Sequence, residues 1–99
     1  MTINVGRDFE LVTLEITGRL DTTTAPNLEA VISELSEDTK ELVFDMSELE
    51  YISSAGIRVI LGAYKKMLSN QGIMRIEKPN DIVTEVFEMA GLMEMLSED

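Results

Sequence analysis

The segment Leu42-Val-Phe-Asp-Met-Ser-Glu-Leu-Glu-Tyr-Ile-Ser-Ser-Ala-Gly-Ile-Arg-Val-Ile-Leu61 sets the narrowest limits on what this chain can fold into. Leu42, Val43 and Phe44 form a short uninterrupted apolar run, the pattern of a central strand covered on both faces. A polar, acidic stretch follows, then the pair Ser53-Ser54. Ile57, Ile60, Leu61, Tyr64 and Leu68 come next at helical spacing, which predicts a helix of about four turns. The serines thus stand at a helix start, where backbone N–H groups point outward without partners and negative charge is stabilised. Three readings follow for Ser53 and Ser54: a plain helix cap, a phosphate-binding turn, or a site of phosphorylation.

The flanking segments supply the rest of the fold. Ile3 and Val5 alternate with Thr2 and Asn4, predicting a short strand, with Gly6-Arg-Asp-Phe9 as the turn after it. Leu11 to Ile16 predicts a second strand with Val12, Leu14 and Ile16 on one face, ended by Gly18 and the polar Asp21-Thr-Thr-Thr24. A threonine cap and Pro26 open a helix whose apolar stripe is Leu28, Val31, Ile32 and Leu35. Ser69-Asn-Gln-Gly72 closes the long helix, with Asn70 or Gly72 as its left-handed residue. Ile73 to Ile76 is a further strand. Pro79-Asn-Asp81 breaks it and caps a third helix bearing Ile82, Val83, Val86, Phe87 and Ala90, with Gly91 as its stop. Leu92, Met93, Met95 and Leu96 predict a short last turn.

The order β-β-α-β-α-β-α predicts an α/β fold with right-handed parallel crossovers. The expectation is a single domain over residues 1–99, with a mixed four- to five-stranded sheet, largely parallel, its first strand antiparallel, and helices packed against it. Parallel strands share one carboxyl-end rim, where α/β sheets place their sites. The Asp21 loop, the Ser53-Ser54 turn and the Lys78-Pro79-Asn80 loop are expected on that rim.

Composition excludes several classes of function. Nineteen Asp and Glu against eight Lys and Arg give a formal charge of −11, so nucleic acid and anionic membrane surfaces are poor partners. The chain has no Cys and no His, which removes thiol chemistry, the commonest general base and the commonest transition-metal ligand. No apolar run approaches the ~20 residues of a membrane span, and no signal peptide is legible, so the expected location is the cytoplasm, without membrane insertion.

The remaining candidates are weak. Ser54 as a nucleophile lacks an activating base, since Lys65 and Lys66 lie about three turns down the same helix. The turn lacks the Gly-x-x-x-x-Gly-Lys-Ser/Thr and Gly-x-Gly-x-x-Gly spacings of nucleotide loops. Asp45, Glu48 and Glu50 read as a solvated acidic loop without the ligand spacing of a Ca²⁺ site. The seven Met residues read mainly as core filler, with Met89, Met93 and Met95 as a possible adaptable surface. Neither a cofactor nor a metal is expected, and enzymatic activity is not.

Three stretches together resemble the STAS domains. Gly18-Arg-Leu-Asp21-Thr-Thr-Thr-Ala25 is similar to the loop before their first helix. Asp45 to Leu61 is similar to their hallmark strand-loop-helix. Pro79 with Phe87-Glu-Met-Ala-Gly-Leu92 is similar to their last strand end and closing helix. In length the chain resembles the stand-alone members, the anti-sigma factor antagonists. The resemblance implies a protein-binding switch. A partner serine kinase that is itself an anti-sigma factor phosphorylates the turn, a PP2C-type phosphatase reverses it, and only the unphosphorylated form binds the kinase and frees the sigma factor. By position Ser54 takes the place of the phosphorylated residue, with Ser53, in place of the usual Asp, as the alternative acceptor. Asp21, Thr22, Thr23, Ser53, Ser54, Ala55, Gly56 and Arg58 are the implied partner-binding residues.

Arg58 stands where glycine is frequent in sporulation-type members and puts a cation one turn into the helix, where it can contact a phosphate or an acid of the partner. Asp21 and Asp45 argue against a tight internal salt bridge, so a phosphate on Ser54 is expected to stay exposed and act on the partner by charge and desolvation. Two rival readings are a STAS subunit of a lipid-transport ATPase complex that is never phosphorylated, and a STAS module that binds nucleotide on the rim.

Overall fold

Strands β1 (Thr2–Asp8) and β2 (Leu11–Leu20) form an antiparallel hairpin with Thr2 opposite Thr17 and Asp8 opposite Leu11. β1 runs straight through Gly6, so the turn is Phe9-Glu10 and not Gly6 to Phe9. Phe9 takes the left-handed conformation at φ 56°, the handedness that a two-residue hairpin turn needs to match the twist of its strands. The computed structural model describes residues 1–95. Leu96, expected in the closing turn, lies outside them.

All pairings beyond the hairpin are parallel. β3 (Glu41–Asp45) lies along the first half of β2, β5 (Ile73–Glu77) along β3, and β4 (Leu49–Ile52) along the end of β2. The sheet order is β1-β2-β3-β5, with β4 beside β2. β4 occupies part of the acidic stretch read as a loop. Its register against β2 slips between Gly18 and Arg19, where Leu49 faces Gly18 but Tyr51 faces Arg19. The extra residue, Glu50, is a bulge. Gly18, at φ 96°, donates its N–H to the Glu48 carbonyl at 3.0 Å, so a residue free to adopt positive φ marks the place where β2 exchanges one neighbour for another.

Helix α1 (Ala25–Ser33) buries Leu28 and Ile32 on the expected stripe. Helix α2 (Ser54–Ser69) buries Ile57, Ile60, Ala63 and Met67, whereas Tyr64 and Leu68 are exposed. The buried face is thus rotated from the predicted stripe. Helix α3 (Asp81–Met89) buries Val83 and Phe87 and ends at Gly91, φ 75°, and a 3-10 turn follows at Met93–Met95. Asn80 caps α3 through its side chain, accepting from the Val83 N–H at 2.8 Å, and its amide donates to the Leu49 carbonyl at 3.0 Å.

One core joins sheet and helices, with Leu14, Ile16, Leu20, Leu28, Phe44, Ile60 and Phe87 among its fully enclosed residues. Met46 and Met67 are core filler, while Met89 and Met93 are exposed. No helix among the described residues is long and apolar enough to cross a membrane.

Candidate functional site

The end of β2, the end of β4 and the start of α2 meet at one backbone contact: the Ser53 N–H donates to the Leu20 carbonyl at 2.9 Å. Asp21 and Ser54, each one residue beyond that bond, become neighbours across the rim. Ser53 is extended, at φ −99° and ψ 176°, and its Oγ accepts from the Gly56 N–H at 3.4 Å, a long cap bond. Capping therefore falls to Ser53. Ser54 is the first helical residue and is exposed, so its hydroxyl is left outside the cap and open to solvent.

Gly56 explains how α2 comes so close. A Cβ there would stand 2.7 Å from Leu20 Cγ and 2.8 Å from Ile52 Cγ1. Only a residue without a side chain lets the first turn of α2 seat on the ends of β2 and β4. Gly56 is buried and faces this seat, while Ala55 is half-buried and Arg58 exposed.

The Asp21 loop is self-contained. Asp21 Oδ1 accepts from the Thr23 N–H at 3.0 Å, the Thr23 hydroxyl at 2.7 Å and the Thr24 N–H at 3.2 Å. The Thr23 hydroxyl above all, then the two N–H groups, hold the Asp21 carboxyl below the ordinary Asp range. The threonine cap takes another form than expected. Thr24 makes no forward cap bond; its Oγ1 accepts from the Asp21 N–H at 2.8 Å and donates to the Arg19 carbonyl at 2.9 Å. The Asp21 carbonyl and carboxylate satisfy the open N–H groups at the start of α1. Thr22 and Thr23 are exposed beside them.

The structure adds two residues that the sequence did not single out. Arg19 stacks over the Tyr51 ring, 4.4 Å from its centroid, with Nε 3.9 Å from Asp21 Oδ2. This contact needs the β2–β4 pairing, which the sequence did not reveal. The third expected loop is set back. Met46 donates to the Glu77 carbonyl and Asn80 to the Leu49 carbonyl, so Lys78, Pro79 and Asn80 lie at the start of β4, about 13 Å of strand below the serines. Asp45 is turned into its own loop. The Ser47 N–H holds its carboxyl below the ordinary range, with a lesser contribution from Lys78. Among the described residues no three acidic side chains come together as a metal-holding group.

The family model for the STAS domain matches residues 2–98. The chain belongs to the STAS domain family. An anti-sigma-B factor antagonist of Staphylococcus aureus is 26% identical over 84 residues, covering 84% of this chain and 78% of that protein. BtrV of Bordetella bronchiseptica, named as an anti-sigma factor antagonist, is 34% identical over 77 residues, covering 77% of this chain and 66% of BtrV. Among solved structures, the unphosphorylated form of the anti-sigma factor antagonist SpoIIAA superposes with a TM-score of 0.88 at 20% identity, over 97% of this chain and 86% of that one. The phosphorylated form of SpoIIAA from Bacillus gives 0.79 at 19% identity, over 97% and 89%. The five-stranded sheet with its antiparallel β1 is thus the STAS fold.

Proposed function

We propose that this STAS protein is an anti-sigma factor antagonist that works as a phosphorylation-controlled binding switch. Unphosphorylated, the rim formed by Asp21, Thr22, Thr23, Ser53, Ser54, Ala55 and Arg58 binds an anti-sigma factor that is also a serine kinase, and so frees the kinase's target. The kinase phosphorylates Ser54, which ends the interaction, and a PP2C-type phosphatase restores it. The chain is ligand and substrate, not an enzyme. One observation carries this reading: Ser53 takes the cap and leaves the neighbouring hydroxyl of Ser54 exposed on the same rim as the Asp21 loop. The names of its sequence relatives support the same class of partner.

The chemistry is electrostatic. A phosphate on Ser54 adds about −1.5 to −2 charges at pH 7. The open N–H groups at the start of α2 stabilise it where it forms, so the domain need not rearrange. A partner surface that fits a neutral hydroxyl must then desolvate a dianion. The test is intact mass after incubation with ATP and the serine kinase encoded nearest the gene, with fragmentation to place the phosphate. A single phosphate on Ser54, absent in Ser54→Ala, is expected. Phosphate on Ser53, or on neither serine, would contradict the assignment.

A further inference from the structure

Helix α2 holds no Asp or Glu in its sixteen residues, although the chain's formal charge is −11. Its cations are Arg58, Lys65 and Lys66. Lys66 donates to the carbonyls of Ile32 and Ser33, at 2.9 and 3.2 Å. Arg58 is exposed and has no carboxylate within ion-pair distance among the described residues, whereas Arg19 and Arg75 each do. Its neighbours one turn away on the helix are Ser54, Ala55, Leu61 and Gly62, and of these only Ser54 can acquire a charge. Residues four apart on a helix have Cβ atoms about 5–6 Å apart, and helical side chains lean toward the N-terminus, which carries Arg58 toward Ser54. Neither Asp21 nor Asp45 pairs with Arg58: the carboxylate of Asp21 accepts from Thr23 and Thr24 and lies near Arg19, and that of Asp45 accepts from Ser47.

We propose that Arg58 holds the phosphate of phosphorylated Ser54 in cis, as a guanidinium clamp on the modified residue. The inference rests on Ser54 being the modified residue and deepens that reading. A planar guanidinium meets two phosphate oxygens at once, a geometry that a lysine point charge does not reproduce. The clamp has two consequences. It favours the dianion, and it withdraws a free cation from the partner face, so that the face changes by the loss of Arg58 as well as by the gain of phosphate. Unmodified, Arg58 is available to a carboxylate of the partner.

The test needs no kinase. Phosphoserine is incorporated at position 54 during synthesis, in the wild-type chain and in Arg58→Gln and Arg58→Lys, and the phosphate is titrated by phosphorus NMR. The wild-type phosphate is expected to bind its second proton roughly three- to tenfold more weakly than in Arg58→Gln, with Arg58→Lys between them, and the Arg58 Nε–H resonance should shift over the same pH range. Equal midpoints in all three proteins, with the Arg58 signal unmoved, would overturn the clamp. Absence of phosphate on Ser54 after kinase treatment of the native chain would overturn the switch and leave the titration result standing, so the two failures are distinguishable.

Discussion

The two ends of α2 are built for opposite purposes. At the C-terminal end the buried polar side chains have fixed protein partners. Asn70 is buried, and its amide donates to the carbonyls of Ser36 and Thr39 at 3.1 and 3.2 Å. Lys40 Nζ reaches the Asn70 carbonyl at 2.6 Å, and Lys66 ties the same turn to the end of α1. At the N-terminal end the apolar side is equally tight, with Gly56 jammed against Leu20 and Ile52, but the polar side is open: Ser54 and Arg58 face solvent. One end fixes the helix and the other presents it. A rigid seat beneath an unsatisfied surface is what a switch needs if it is to respond to a charge without refolding.

Substitutions sharpen this contrast, the largest effect first. Asn70→Ala should lower stability by about 2–3 kcal/mol, because it leaves two carbonyls short of a donor and opens a buried gap; urea unfolding monitored by circular dichroism measures it. Gly56→Ala should cost about 2 kcal/mol in the same assay, since the new methyl would meet branched core atoms at under 3 Å. Gly62→Ala should do the reverse. Nothing lies within 4 Å of its would-be Cβ, so only helix propensity counts, and a gain of about 0.5–1 kcal/mol is expected. If Gly56→Ala stabilised the protein as Gly62→Ala does, the tight seat of α2 would be wrong.

Much of this contrast was legible in the sequence, and the misses have physical causes. Leu42, Val43 and Phe44 are the buried heart of β3, and the Asn80 cap and the Gly91 stop stand where their chemistry put them. β4 was hidden because the Glu50 bulge puts Leu49 and Ile52, three residues apart, both in the core, which breaks the two-residue alternation that marks a strand. The stripe on α2 was misplaced because counting large apolar residues favours Leu61, Tyr64 and Leu68 over the smaller Ala63, which is the one buried. Those three residues instead line an apolar groove with Ile73, Leu92 and Met95. The left-handed residue after α2 is Gln71, φ 60°, because Asn70 must turn its amide inward and Gly72 must admit the Lys40 carbonyl, 2.6 Å from where a Cβ would be.

At the site itself, the spacing marked the serine pair, but only the structure separates the capping Ser53 from the exposed Ser54. Smaller effects follow from that separation. Ser54→Ala and Ser54→Asp should each change stability by less than about 0.5 kcal/mol, since the hydroxyl takes no part in the cap; thermal melts check this. Acid should affect the Asp21 loop in a definite direction. Its carboxyl titrates lower folded than unfolded, so its contribution is complete above the unfolded value, about 3.9, and is lost as pH falls through the folded one. In Asp21→Asn that part of the acid sensitivity should vanish, as read from unfolding midpoints between pH 5 and pH 2. An unchanged acid slope would remove Asp21 from the account.

The decisive measurement compares the chain carrying phosphoserine at position 54 with the unmodified chain, in calorimetric titration against the proposed partner kinase and in amide NMR. The phosphate is expected to weaken binding by at least about a hundredfold, while amide shifts stay within residues 19–24 and 51–58. Undiminished binding, or shifts spread through β3 and β5, would contradict the switch.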